Sequence, residues 1–430
     1  MIKLFSKCLK VLLVFAGIFS FTKIHAQLSY DTVSFSVNEA EKRFVDSNLL
    51  ILASHFNIDA NKALIKQAKL WNNPVLSTDE VIAADGKFFP YGKDVNGIYS
   101  GQYYIQLQQL IETAGKRGKQ INIATTNEQI SELQLDDLLR NLRLQLKTDY
   151  YTIAQQLNNK KLYENQLVQL NSLFNGMQAQ FNAGNIAQVE LLRVQAILIM
   201  LQQDITDLNK LIENSESDIR ILLHLNANVF VKPADTTTDV YVPSLTVDSL
   251  MQTAKQNNPH YLLQQKQYVL QEQNLSYQKA LRAPDVTLGP NFDRNSNFAP
   301  NYVGLGISLP IPLFNKNRGN IESATFNVKQ QQATVINAET ELQNNVFNAY
   351  QNLLLSIKQN SNEQKIFYQK YNAIFQNMLK SYQQKQISLL TFVDFVTDYT
   401  NLQQRFYQQQ LNLNLSKENL NYQVGIDVIQ

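Results

Sequence analysis

The stretch VGLGISLPIPLFNKNRG, from Val303 to Gly319, changes its period midway. Val303, Leu305, Ile307, Leu309 and Ile311 alternate with Gly304, Gly306, Ser308 and Pro310, so an extended chain here has one apolar face and one small or polar face. Beyond Arg318-Gly319 the spacing becomes helical. Val335, Ala338, Leu342, Val346, Ala349, Leu353 and Ile357 step by three and four. A strand runs out through two prolines into a long helix.

The same plan occurs earlier in the chain. Ser36-Val37-Asn38 and Thr246-Val247-Asp248 each open a helical stretch that ends at a proline, Pro74 and Pro284, and both spacings are 210 residues. Arg117-Gly118 matches Arg318-Gly319 at a spacing of 201, as do Glu190 with Thr391 and His224 with Gly425. The shortening falls between the prolines and the Arg-Gly pairs, where the first copy has a longer loop. A tandem repeat of helix, β-hairpin and long helical hairpin follows. The expected divisions are 1–26, a signal peptide; 27–225, a first repeat; 226–245, a linker; and 246–430, a second repeat. The strand pairs fall at about 74–112 and 284–314, and the helical hairpins at about 115–225 and 318–424.

In the first copy Ile130, Leu133, Leu138, Leu142, Leu146, Tyr150, Ile153 and Leu157 carry the helical spacing, and no proline interrupts Gly118 to Lys232 or the chain after Gly319. A helix from Lys119 to about Phe181 would measure roughly 95 Å at 1.5 Å per residue. Leu135, Leu139 and Leu144 add a second apolar face, which suits helices with neighbours on both sides. An exported structural coiled coil is the competing reading.

The strands carry the membrane argument. Tyr99, Tyr103, Ile105 and Leu107 alternate with Ser100, Gln102, Gln106 and Gln108. Each alternating run approaches the ~9–11 residues of a tilted transmembrane strand. Phe88, Phe89, Tyr91, Phe292, Phe298 and Tyr302 gather near the strand ends, as interfacial aromatics do. Tyr103, Ile105, Leu107, Val303, Leu305, Ile307 and Leu309 are the lipid-facing candidates, and Gln106, Gln108 and Ser308 face the other way. Four strands are too few to close a barrel, since the smallest single-chain barrels have about eight; a barrel would be shared among subunits. A soluble sheet with one solvated face is the plainer alternative. The two alternations differ in phase by one residue at the 201 spacing, and a β-bulge is the expected cause.

Composition narrows the choice. In 430 residues, 17% are charged, the net charge is +2 and there is one Cys, which excludes a charge-driven disordered chain and a disulfide scaffold. No nucleic-acid partner is indicated. Lys3, Lys7 and Lys10, the apolar run Val11 to Phe21, and Ile24-His25-Ala26 read as a secretory signal cleaved before Gln27. Its removal takes away four Lys and Cys8, leaving a net charge of −2. No later run reaches the roughly 20 apolar residues of a membrane-spanning helix.

Taken together, these features resemble the TolC-type outer-membrane efflux proteins over essentially the whole exported chain. Ile311-Pro-Leu-Phe-Asn-Lys-Asn-Arg-Gly319 is similar to that family's passage from strand to long helix. Phe181-Asn-Ala-Gly-Asn-Ile-Ala-Gln-Val-Glu-Leu-Leu192 is similar to its turn at the periplasmic helix tip. The second tip has Lys385 where the first has Gly184, which suggests a differently shaped turn. The resemblance implies a mainly α fold with transmembrane β, as a homotrimer with a 12-stranded barrel in outer-membrane lipid and a periplasmic α-helical barrel. It implies a periplasmic adaptor, met by tip residues Gly184, Asn185, Ile186, Lys385, Gln386, Ile387 and Ser388, and an inner-membrane pump. It also implies a gate near the second tip, where Thr391 and Asp394 stand, with Glu190 and Arg193 at the matching first-copy positions and able to pair instead. Glu112-Thr-Ala-Gly-Lys-Arg-Gly-Lys119 is similar to the heavy-metal (CzcC-like) branch, although a basic strand-to-helix junction explains it as well. The channel of a type I protein secretion system is the alternative cargo reading.

Chemistry-bearing motifs are missing. His55, His224 and His260 stand apart, and no nucleophile elbow, zinc-protease helix or dinucleotide fingerprint occurs. The expectation is a passive duct with no catalytic residues, no cofactor and no metal site.

Overall fold

A computed structural model describes residues 31–84, 86–93, 95, 97, 99–235, 245–296 and 298–429. The expected signal, and 236–244 of the expected linker, lie outside them. In chain order the elements are β1 (Asp31–Phe35), α1 (Val37–Ser47), α2 (Leu49–Ala68), β2 (Val75–Glu80), β3 (Ala83–Ala84), β4 (Lys87–Phe88), β5 (Gly92–Lys93), β6 (Tyr99–Ser100), β7 (Tyr103–Ile111), α3 (Lys116–Asn182), α4 (Gln188–Leu222) and β8 (Val229–Pro233). There follow α5 (Val247–Asn257), α6 (Pro259–Ala280), β9 (Val286–Asn295), β10 (Pro300–Ser308), α7 (Arg318–Gln359), α8 (Asn362–Gln383) and α9 (Leu389–Val424).

The short helices begin where side chains can cap them. Ser36 and Glu39 form a reciprocal capping box on α1, and Thr246 caps α5. Asn48 caps α2 and Asn258 caps α6, where Pro259 supplies the first-turn proline. Both asparagines are buried, and each also ties its helix to the far end of a long one. Asn48 Nδ2 donates to the Leu222 carbonyl at 3.0 Å, and Asn258 Nδ2 to the Gln423 carbonyl at 2.8 Å. Donors and acceptors follow the repeat spacings, 210 and 201.

The helices form a row. Near the sheet the order is α2, α3, α6, α7; further down, α4 and α3 lie beside α9, which packs on α7 and α8. Helix α3 has 67 residues, about 100 Å at the standard rise. Its lower half, with α4, α8 and α9, buries Leu170, Val194, Phe375 and Phe392 in one core. Two further cores sit at mid-height, one under β1, α1 and β8, the other under α5. Tyr150 Oη donates to the Phe35 carbonyl at 2.8 Å, and Tyr350 Oη to the Leu245 carbonyl at 3.1 Å, one bond per copy.

The uninterrupted second hairpin is corrected. α7 ends at Gln359 and α8 starts at Asn362, with Ser361 as its cap. Asn360 Nδ2 holds the break, donating to the Ser356 and Gln409 carbonyls. Asn and Ser compete with helical backbone bonding, and here they win. Tyr350 stands 200 residues after Tyr150, whereas the Arg-Gly pairs and the tips stand 201 apart.

The two hairpins join into one antiparallel sheet of order β10-β9-β7-β2. The expected bulge is absent from its ladders. Thr78, Ile105, Phe292 and Val303 pair in one straight row, and the register is constant on either side of it. The odd residue sits instead in the connectors, 112–115 after β7 but 309–317 after β10. β10 also stops before Leu309, so that lipid-facing candidate lies just past the strand; Pro310 and Pro312 have no N–H to continue a ladder. β8 lies in the linker, where short strands are expected from the sequence, whereas β1 is not expected from it. β1 and β8 form a parallel pair that staples the first residues described to the segment after α4.

Candidate functional site

Strand register assigns the sheet its two faces. Leu76, Ile105, Leu107, Phe292, Leu305 and Ile307 share one face with Val303. Val303 is 73% exposed, Leu305 66% and Ile307 68%. So continuous an apolar surface requires a cover. Tyr103 is on this face too, its ring 5.8 Å from that of Phe292. On the opposite face lie Gln106, Gln108, Asn291 and Ser308 with Gly289, Gly304 and Gly306. Gln108 Nε2 donates to Gln106 Oε1 at 2.7 Å. The Tyr302 ring crowds Gly304, where a Cβ would come within 2.6 Å of it, so glycine is what this close approach admits.

At the other end of the molecule the two helical tips meet. Gly184 has φ +75°, and Lys385 has φ +59°. The hydrogen bonds correspond one for one: Ala183 N to Ala179 O and Asn185 N to Gln180 O in the first, Gln384 N to Lys380 O and Gln386 N to Ser381 O in the second. The expectation of a differently shaped second turn is thereby overturned. The backbone pattern demands a left-handed residue, and Lys385 adopts that conformation at a cost of roughly 1–2 kcal/mol.

Between the tips lies a cleft of about 610 Å³. Met177, Ile186, Ile387 and Leu389 give it apolar walls, and Asn185, Lys385 and Ser388 a polar rim. Gln386 sits in the turn itself. Tyr382 spans the floor, its hydroxyl 3.7 Å from Met177 Sδ and its ring stacked on Phe392 at 5.2 Å. Burial, and then the charge of Glu190, push the Tyr382 hydroxyl up.

The gate candidates separate. Thr391 belongs to the cap of α9: its N–H donates to Ser388 Oγ at 3.1 Å. Asp394 is exposed on the next turn. Glu190 is half-buried and lines the tip cleft, whereas Arg193 is exposed; among the described residues no ion pair joins them. Asp398 stands one turn beyond Asp394, at i, i+4 on α9, and is also exposed.

The basic stretch beside the sheet is structural. Lys116 is buried, and its Nζ donates to Asp285 Oδ1 and to the Ala283 carbonyl, both at 2.7 Å. Thr113 N donates to the same carboxylate at 2.8 Å. Arg117 stacks over Trp71, 4.3 Å from the ring centroid. Further along the bundle, Glu216 is fully buried on α4 and accepts from Val231 N at 2.8 Å. Burial pushes its carboxyl up to about 7, against the pull of that hydrogen bond and of Arg220.

A sheet apolar on one face and polar on the other, drawn out into a helical layer whose longest helix measures about 100 Å, has the make-up of a membrane channel with an extended helical conduit. Among the described residues no helix is long and apolar enough to cross a membrane. The family model for outer membrane efflux proteins matches residues 43–223 and 250–425, and the chain belongs to that family. It is an outer-membrane efflux channel. The cobalt-zinc-cadmium resistance protein CzcC of Cupriavidus metallidurans is 21% identical over 313 residues, 72% of this chain and 71% of that one. Among solved structures, the outer-membrane channel OprN superposes with a TM-score of 0.74 at 15% identity, covering 93% of this chain and 94% of that chain. CusC gives 0.73 at 14%, covering 93% of each, and VceC of Vibrio cholerae 0.71 at 12%, covering 90% and 96%.

Proposed function

We propose that three copies of this chain form a 12-stranded barrel in the outer membrane, continued by a helical tunnel through the periplasm, as the exit duct of a metal-cation efflux machine. The observation that carries the assembly is the pair of unpaired sheet edges. β10 and β2 end the sheet on the same flanks where α7 and α2 end the helix row. An unpaired apolar edge in lipid is untenable, and rotation about a three-fold axis pairs β10 of each copy with β2 of the next. Tyr103, Ile105, Leu107, Val303, Leu305 and Ile307 then meet lipid, and Gln106, Gln108 and Ser308 line water.

The tip cleft, with Gly184 to Ile186 on one side and Lys385 to Ser388 on the other, receives a periplasmic adaptor that hands over from an inner-membrane pump. Asp394, with Asp398 a turn further on, forms carboxylate rings at the narrow end, favouring cations and repelling anions. The metal cargo rests on the likeness to CzcC. A duct passes its cargo without coordinating it, so the pump selects.

A strain lacking the protein tests the reading on zinc, cobalt, cadmium and copper salts beside dyes, detergents and antibiotics. Sensitivity to the metals alone is expected. Sensitivity to amphiphiles alone makes the duct a drug exit, and no change on either panel turns attention to protein secretion.

A further inference from the structure

The two repeats make one junction inside the chain, and that junction is a template for another. Where β7 leaves the sheet for α3, the exit segment around Lys116 packs on the segment by which α6 approaches β9. The contact is polar and buried: Lys116 to Asp285 and to the Ala283 carbonyl, Thr113 Oγ1 to the Pro284 carbonyl at 2.6 Å, and Lys119 Nζ to Ser276 Oγ at 2.7 Å. By the repeat, the exit segment after β10, residues 309–317, has its own complementary approach segment, residues 69–75. Within one chain the two stand on opposite edges of the sheet and never meet.

The second junction has different chemistry. At the repeat spacings Asn317 stands in place of Lys116, and Val75 in place of Asp285, so the ion pair is gone. Apolar side chains stand ready instead. Phe314 is 100% exposed and Leu313 67%; opposite them in sequence logic, Trp71 is 64% exposed and Val75 57%. Beside Trp71 lies a cleft of about 320 Å³ walled by Leu70, Trp71 and Ile121, with Glu112 on its rim. Arg117 holds the indole from one side and leaves the other open. Lys316, two residues beyond Phe314, carries the charge opposite to that of Glu112.

We infer that Phe314 of each subunit seats in the Trp71 cleft of the next copy, making an apolar lock between subunits where the chain uses a buried ion pair within itself. The inference rests on the three-fold assembly proposed above, and it adds which residues hold the seam at the membrane edge. Burial of two aromatic side chains in a desolvated contact is the pattern of an interface hot spot.

The test uses two properties of the sequence: Trp71 is the sole tryptophan, and residues 27–430 contain no cysteine. In the purified detergent-solubilised protein, Phe314→Ala should shift Trp71 emission to the red and raise its quenching by acrylamide. Brominated lipid should leave Trp71 emission unquenched in the parent protein. Separately, a Trp71→Cys/Phe314→Cys double variant treated with a short bismaleimide should give a covalent trimer that survives denaturing electrophoresis, while each single variant gives monomer. A trimeric mass with no cross-link, and a Trp71 quenched by brominated lipid and indifferent to Phe314→Ala, overturns the lock and leaves the duct intact. A monomeric mass overturns the assembly, and the lock with it.

Discussion

The repeats agree at the tips and part company at the membrane edge. At the tips Gly184 and Lys385 adopt the same left-handed turn with the same hydrogen bonds, although the side chains have nothing in common. At the membrane edge Lys116 and Asp285 have polar and apolar counterparts, Asn317 and Val75. A feature written in backbone geometry survives a change of side chain at a cost of roughly 1–2 kcal/mol. A feature written in side-chain chemistry lasts only while its partner stays the same.

The ion pair at the edge offers the largest effect. Lys116→Ala leaves Asp285 half-enclosed without its cation, and should lower stability by about 3 kcal/mol. Chemical denaturation with a tryptophan or circular-dichroism readout measures it. A change below the error would mean that Thr113 alone holds the junction, and the contrast with the tips would lose its force.

Glu216 comes next, and it acts through pH. Its carboxyl sits near 7 in the folded chain, above the ordinary value of 4.5. The folded state therefore binds the proton more tightly than the unfolded state. That contribution is fully present below 4.5 and is lost as pH rises through about 7. Glu216→Gln should flatten this dependence and stabilise the protein by ~2–3 kcal/mol at pH 8 relative to the parent. Equal slopes of stability against pH in both proteins would rule the residue out.

The smallest effects sharpen the comparison at the tips. Gly184→Ala should cost about 1 kcal/mol, and Lys385→Gly should gain up to about 1, because only the first introduces a Cβ at positive φ. Two losses of equal size would mean that the lysine side chain stabilises its turn. Asp394→Ala should leave stability within about 0.5 kcal/mol. Planar-bilayer recordings should instead show higher conductance and weaker block by divalent cations, and unchanged currents would remove its gating role.

What the sequence made legible was periodic or repeated. Alternation at Val303 to Ile307 announced the strand, the three-four spacing announced the helices, and the Gly184 and Lys385 neighbourhoods announced the tips. What stayed hidden depends on partners far away in the chain. β1 pairs with β8 across almost the whole first repeat, and Asp31 to Phe35 carry no local sign of it. Lys116 shows in sequence only as part of a basic strand-to-helix junction, and its partner Asp285 stands 169 residues away. The phase mismatch mimics a bulge because one spacing of 201 does not hold through connectors of unequal length after β7 and β10. Ser361 lies just past Ile357, the last residue of the quoted apolar period, so that period carried no sign of the break.

The unequal junctions also bear on how a three-fold ring of the kind proposed above would change over generations. A ring of six identical half-chains has one kind of seam, so every substitution strikes six places at once. Joining two half-chains in one gene leaves three seams inside the chains and three between them, each with its own codons. The inner seam can then be tuned for folding, and the outer one for the strength and timing of assembly, without either constraining the other.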